Sequence, residues 1–418
     1  MSLMTSLFNV LALVYIVRAI QLAVQIGRNW GALRQEPLTG AKQRQAEQAA
    51  FFLGVPPAVL VHEAAHALAV VAFGGRVVEF GYRVFWGYVV PDGVFSAAEN
   101  WLIAIAGTLG SLAFGTAVWL VARRSPSRTI RYFGLRAVRF QIYFSLLYYP
   151  LFSLFLPIGD WRSIYDFGAT PILSAATAVA HALALLWFWR ADRVGTFEMV
   201  AFESAAAQSR FERAGNSLGD PMVQLQAIAA LQVGGAPHQA RTALDIFLSD
   251  YPQSAEGHLQ KALLRGGRGQ VDPDAARSAE RALALGLRQP DDAALARRLV
   301  ARHYLERGDG RAAVAALDPA LAAAEIDPAG LSPGHLAELR YMRAQGYRRL
   351  GQYEAARADI AAAQQTAAEL GHEPLLRRYA EEAQLINAHD RDHGRDHAGR
   401  DLSPPVSEGN TTNHSSDA

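Results

Sequence analysis

Five long apolar stretches fall within the first 190 residues of this 418-residue chain, and nothing else in it constrains folding as strongly. They run over about 7–26, 49–73, 101–122, 140–158 and 170–189. A helix of about 20 residues crosses the roughly 30 Å hydrocarbon core of a bilayer. A water-soluble fold would expose several of these segments, so the sequence predicts a polytopic bundle of membrane helices. No basic residue precedes the first stretch and no small-x-small site follows it, which reads as an uncleaved span and not as a signal peptide. Arg18, Gln21 and Gln25 share one face of that span, a face expected to turn toward protein or an interface. Trp30, Trp101, Trp119, Tyr132, Trp161, Trp187 and Trp189 stand near span ends, as interfacial anchors do. The net charge of +1 hides an asymmetry: residues 1–200 hold 16 Lys/Arg against 10 Asp/Glu, and the remainder 24 against 29. A basic apolar half precedes an acidic polar one.

The second stretch contains His62-Glu63-Ala64-Ala65-His66. Residues i and i+4 share a helix face, so both imidazoles can reach one metal ion while Glu63 takes a proton from metal-bound water. With 12 His and 39 acidic residues, a random chain of this length yields such a pattern about 0.03 times. Ionisable groups inside an apolar span are costly and point to function; histidines hydrogen-bonded to neighbouring helices are the plainer alternative. The absence of cysteine excludes disulfide scaffolds, thiolate-ligated metal sites and cysteine hydrolases, and it leaves the third ligand of a zinc site to a His or a carboxylate. Asp160 is the first candidate, in Leu156-Pro157-Ile158-Gly159-Asp160-Trp161, where Pro and Gly would break a helix and aim the carboxylate inward. Asp166 and His181 are its rivals. Between spans two and three, Val77–Val90 alternates ahead of an expected Pro91-Asp92-Gly93 turn, the pattern of a short hairpin lying at or in the membrane.

These features together resemble the site-2 protease (M50-type) family of intramembrane zinc metalloproteases over about residues 50–190. The resemblance rests on the His62/Glu63/His66 motif, Ala106-Gly107-Thr108-Leu109-Gly110-Ser111 in the next helix, and an Asp near the end of a later one. Thr108 stands where the family typically has proline and Ser111 where it has asparagine; Pro157 and Asp160 match, with Trp161 in place of a glycine. The resemblance implies a zinc endopeptidase holding one Zn2+ per chain on His62, His66 and Asp160, with Glu63 as general base. It also implies a membrane-embedded protein substrate held in extended form beside the hairpin. The implied location is an integral multi-pass position in a bacterial inner (cell) membrane. The family's active site faces the cytoplasm. The loop charges imply the reverse: three basic residues on the side of the site (Arg76, Arg83, Arg162) against ten at 28–44 and 123–139.

After a linker at 201–219, Ala- and Arg-rich helices recur at 35–43 residues. One frame takes in Ala240, Leu244, Phe247 and Pro252, then Ala275, Ala279 and Ala282, then Ala301, Tyr304, Ala313, Leu317 and Ala320. The clearest copy is Ala344, Tyr347, Gly351, Ala356, Ile360 and Ala363. Small residues at the crossings with a Tyr in the first helix resemble tetratricopeptide repeats over 220–385. The resemblance implies an α-solenoid that takes a protein or peptide partner; a generic helical bundle is the alternative. Residues 386–418 lack apolar periodicity and are expected to be disordered, with His389, His393 and His397 as loose metal contacts at most. Asn410-Thr411-Thr412 fits a glycosylation acceptor. No phosphate-binding or dinucleotide motif appears, and no nucleic-acid partner is expected. The fold class is therefore all-α, a membrane bundle with one hairpin followed by a solenoid. The competing functional reading is an inactive membrane scaffold working through its repeats.

Overall fold

The structure is a computed structural model that describes residues 3–84, 86–155, 159–215, 220–266, 271–327 and 329–400. It is mostly helical and divides into two compact units, Met1–Ile246 and Phe247–Ala418. The first unit opens with α1 (Leu3–Arg28), which encloses the first expected span, and the short α2 (Trp30–Arg34). Arg18 of α1 donates to Gln48 Oε1 at 3.0 Å, while Gln21 and Gln25 on the same face are exposed. Helices α3 (Gly40–Phe52) and α4 (Val55–Ala72) follow almost end to end. Thr39 caps the first by accepting from Lys42 N, and prolines in the opening turn of α4, where N–H groups lack intrahelical partners, start the second.

Strands β1 (Arg76–Tyr82) and β2 (Gly87–Asp92) form an antiparallel pair, from Arg76 opposite Asp92 to Tyr82 opposite Gly87. The expected hairpin is present, but Pro91-Asp92 belongs to β2 and is not a turn. Pro91 lies opposite Val77, at the edge of the irregularity between Val77 and Glu79, where a missing N–H interrupts no regular ladder. Next comes α5 (Ala97–Ala122), begun by a capping box in which Ser96 Oγ accepts from Glu99 N and Glu99 Oε2 accepts from Ser96 N.

Residues 140–155 of the fourth expected span, 140–158, are the later part of a longer helical run: α6 (Arg128–Tyr143), a π-helical turn (Phe144–Tyr148) and α7 (Tyr149–Phe155). Its start moves back because α6 is amphipathic: Arg139 reaches Asp192 through two bonds of 2.6 and 2.9 Å, which lets a basic helix pack instead of ending. Pro157 lies outside the described residues. A short α8 (Trp161–Ile164) precedes α9 (Pro171–Arg193). Among the described residues, three helices are long and apolar enough to cross a membrane: Gly40–Ala72, Ala97–Ala122 and Pro171–Arg193.

The expected linker at 201–219 contains α10 (Ala205–Gly215), followed by α11 (Pro221–Val233) and α12 (Pro237–Asp250). The compact division falls after residue 246, beyond the expected boundary near 220. Backbone bonds explain it: Phe202 N donates to Leu38 O and Ala201 N to Gly234 O, both at 2.8 Å, while Gln43 Nε2 donates to Met199 O at 2.6 Å.

The second unit continues with α13 (Ala255–Arg265), α14 (Pro273–Leu285), α15 (Pro290–Glu306), α16 (Gly310–Ile326), α17 (Pro333–Arg349), α18 (Tyr353–Glu369) and α19 (Glu373–Arg400). Each of these helices packs against the next. Helix α19 runs well into the stretch expected to be disordered from residue 386. Tyr379, Glu382 and Ile386 are buried and anchor it, and a helix once nucleated extends cheaply through polar residues. The side chains of His389, His393 and His397, and all of Asn410-Thr411-Thr412, lie outside the described residues.

Candidate metal centre

Helix α4 presents His62 and His66 on one face with ring centroids 4.7 Å apart, as the i, i+4 spacing requires. The carboxylate of Asp160 arrives from far along the chain. Gly159, at φ 111°, takes a backbone conformation that disfavours side-chain-bearing residues and so turns Asp160 toward α4. Asp160 Oδ2 lies 3.0 Å from His62 Nε2 and 3.2 Å from His66 Nε2. One ligand atom from each of the three residues lies within 4.8 Å of the others, a grouping that could hold a metal ion. Asp166 and His181 stand apart from it. Asp166 Oδ1 accepts from Gly168 N and Ala169 N at 3.0 Å, closing its own loop. His181 Nε2 donates to Leu146 O and its Nδ1 accepts from Tyr165 OH, both at 2.5 Å, so both ring nitrogens are engaged in packing.

The outer contacts orient the imidazoles. His66 Nδ1 lies 2.7 Å from Ile103 O, and a carbonyl only accepts, so Nδ1 carries the proton and a neutral His66 directs its Nε2 lone pair at Asp160. His62 Nδ1 meets Ser111 Oγ at 3.1 Å. Two imidazole nitrogens and a carboxylate oxygen at this distance call for positive charge between them, either a proton or a metal cation. Tyr149 OH donates to the same Oδ2 at 2.9 Å. Helix α5 leaves space for the cluster at Gly107: a Cβ there would come 2.3 Å from His66 Nε2 and 2.5 Å from His62 Nε2. Any larger residue would press on both Nε2 atoms.

Glu63, 6% exposed, stands beside the cluster against β2. A Cβ on Gly87 would approach its Cγ to 2.5 Å, so the strand backbone itself closes over the carboxylate. His62, Glu63, Trp86, Gly87, Ser111 and Tyr149 border a cavity of about 120 Å³. Thr108, at the position of the resembled proline, is buried with its Oγ1 unpartnered; Ser111, at the position of the asparagine, holds His62. Sequence reasoning missed Tyr149, which resembles Tyr143 and Tyr148 in an aromatic run; the π turn before it sets which of the three faces Asp160. No family model matches the chain, and no curated protein matches it.

Proposed function

We propose that this chain is a membrane-embedded, zinc-dependent endopeptidase of the site-2 protease type, acting on membrane-protein substrates. The observation that carries this reading is the grouping of Asp160 with His62 and His66, which lie beside Glu63 in a helix apolar enough to cross a membrane, with ligand atoms within 4.8 Å of one another. The donor set fits zinc. Ligand atoms of a tetrahedral zinc with bonds of about 2.0 Å are about 3.3 Å apart, close to the 3.0 and 3.2 Å separations of the imidazole nitrogens from Asp160 Oδ2. Three protein ligands would leave a fourth position open, and bound zinc there would polarise a scissile carbonyl and acidify its water. Glu63 takes the proton of the attacking water and returns it to the leaving amine. Ser111, the Ile103 carbonyl and Tyr149 hold the three ligands in orientation. A substrate helix must unwind before cleavage, and pairing along the β1–β2 hairpin would satisfy its freed backbone groups.

The second unit suits a solenoid of tetratricopeptide-like repeats that recruits a protein or peptide partner. Fully buried alanines at the crossings, such as Ala279, Ala301, Ala344 and Ala363, support this. The test is metal analysis of the purified full chain, paired with a comparison of membranes bearing the unchanged protein or Glu63→Gln. About one zinc per chain is expected in both, with cleavage about 10²–10⁴-fold slower in the variant. Full activity in Glu63→Gln would remove Glu63 as the base. A chain without metal would leave a scaffold whose repeats do the binding.

A further inference from the structure

A second cleft lies in the first unit where α1, α2, α3, α5 and α6 meet, apart from the residues of the metal centre. Its volume is about 570 Å³, within the about 300–1,000 Å³ usual for small-molecule sites. Ile26, Trp30, Ala49, Phe114, Val118 and Phe133 belong to an almost wholly apolar wall. Two polar side chains interrupt it. Thr129 is only 7% exposed and its Oγ1 has no hydrogen-bond partner; Gln45 Nε2 is buried and equally unpartnered. Both atoms can donate a hydrogen bond, and buried donors without acceptors are costly, so this corner calls for an acceptor-rich group.

The charge points the same way. Arg34 lies over the ring of Trp30, 5.9 Å from its centroid, which puts a guanidinium at the rim of the cleft. Arg123 and Arg124 are exposed just past Val121 and Ala122 of the wall. Thr129 itself sits in the first turn of α6, where backbone N–H groups and the helix dipole favour an anion.

We propose that this cleft binds an anionic phospholipid, with one acyl chain along the apolar wall and the phosphodiester against Thr129, Gln45 and the arginines of the rim, Arg34, Arg123 and Arg124. A free inorganic anion would gain nothing from the wall, and a zwitterionic lipid would match the basic rim less well. The inference requires only that the chain sits in a bilayer and does not depend on proteolysis.

The test uses the full chain in nanodiscs of phosphatidylcholine containing a minor fraction of phosphatidylglycerol, with retained lipid identified by native mass spectrometry. About one phosphatidylglycerol per chain is expected to survive detergent washing in excess over its share of the bilayer. Ala117→Phe, at an exposed position of the wall, fills the cleft and should remove that excess. Thr129→Val keeps shape and removes the hydroxyl, lowering retention about fivefold. The metal content of the purified chain should not change in either variant. Retention without headgroup preference, retention of a free fatty acid instead, or phosphatidylglycerol bound equally by both variants would each overturn the proposal.

Discussion

Around the proposed metal centre of the first unit and along the helices of the second, the chain fills its interior in opposite ways. At His62, His66 and Asp160 each ligating side chain has a specific partner: Ser111 for one imidazole, the Ile103 carbonyl for the other, Tyr149 for the carboxylate. In the second unit alanines recur through the buried core beside larger apolar residues, with Ala262, Ala279, Ala301, Ala313, Ala344 and Ala363 all fully buried. The first arrangement depends on where individual atoms sit, the second on small volumes repeated at many crossings. The same added methyl group should therefore cost function in one region and only stability in the other.

Gly107→Ala and Gly346→Ala test that difference most directly. At Gly107 the new Cβ falls within 2.5 Å of both imidazole Nε2 atoms, with α5 backbone behind it. Zinc content should fall toward zero and cleavage with it, a larger loss than the about 10–100-fold typical of outer-shell changes. The gain in helix propensity from Ala, about 1 kcal/mol, offsets part of the overpacking that contacts this close impose, so the loss of zinc should outweigh any loss of stability. At Gly346 the added carbon meets Val314 Cγ2 at 2.7 Å and Gly310 O at 3.1 Å. There the expected result is overpacking, a loss of about 1–3 kcal/mol in unfolding experiments, with zinc unchanged. Zinc retained in Gly107→Ala would mean that the ligands do not converge where the glycine leaves room.

Tyr149→Phe asks for less. It deletes the hydroxyl that donates to Asp160 Oδ2 while keeping the ring that packs 5.8 Å from His62. Metal affinity, measured by competition with a chelator, should drop about 10–100-fold. An unchanged affinity would reduce Tyr149 to packing.

How far each region could be read from the sequence follows the range of its contacts. His62, Glu63 and His66 were legible because helical spacing alone brings them together. Asp160 lies 98 residues from His62, and the absence of cysteine narrowed the ligand types only to His or carboxylate; its place at the Pro157/Gly159 break and the family resemblance favoured it over Asp166 and His181. Tyr149 was not legible, because a π turn decides its direction and no local pattern announces one. Alternation located the hairpin, yet Pro91-Asp92 read as a turn because the strand irregularity that tolerates the proline depends on pairing with β1. The apolar count likewise set the fourth span's start near 140, since the Arg139–Asp192 pair that lets α6 begin at Arg128 joins helices far apart in sequence.

The smallest expected effect belongs to the second unit and to pH. Asp291, in the first turn of α15, is held below the usual carboxylate range chiefly because its Oδ1 accepts from Ser332 N at 2.9 Å, with His335 beside it adding to the effect against the cost of partial burial. A depressed carboxylate contributes stability that is present above its unfolded value of about 3.9 and fades as pH falls through the folded one. Acidification from pH 5 toward 3 should therefore loosen the tie between α15 and the start of α17. Because the side chain is 46% exposed, solvent screening limits the contribution to about 0.5 kcal/mol. In thermal melts of the full chain, Asp291→Asn should flatten that part of the acid dependence and leave zinc content untouched. An unaltered acid slope would show that the bond to Ser332 closes the α15–α17 corner without stabilising it, and a change in zinc would break the separation between the two regions.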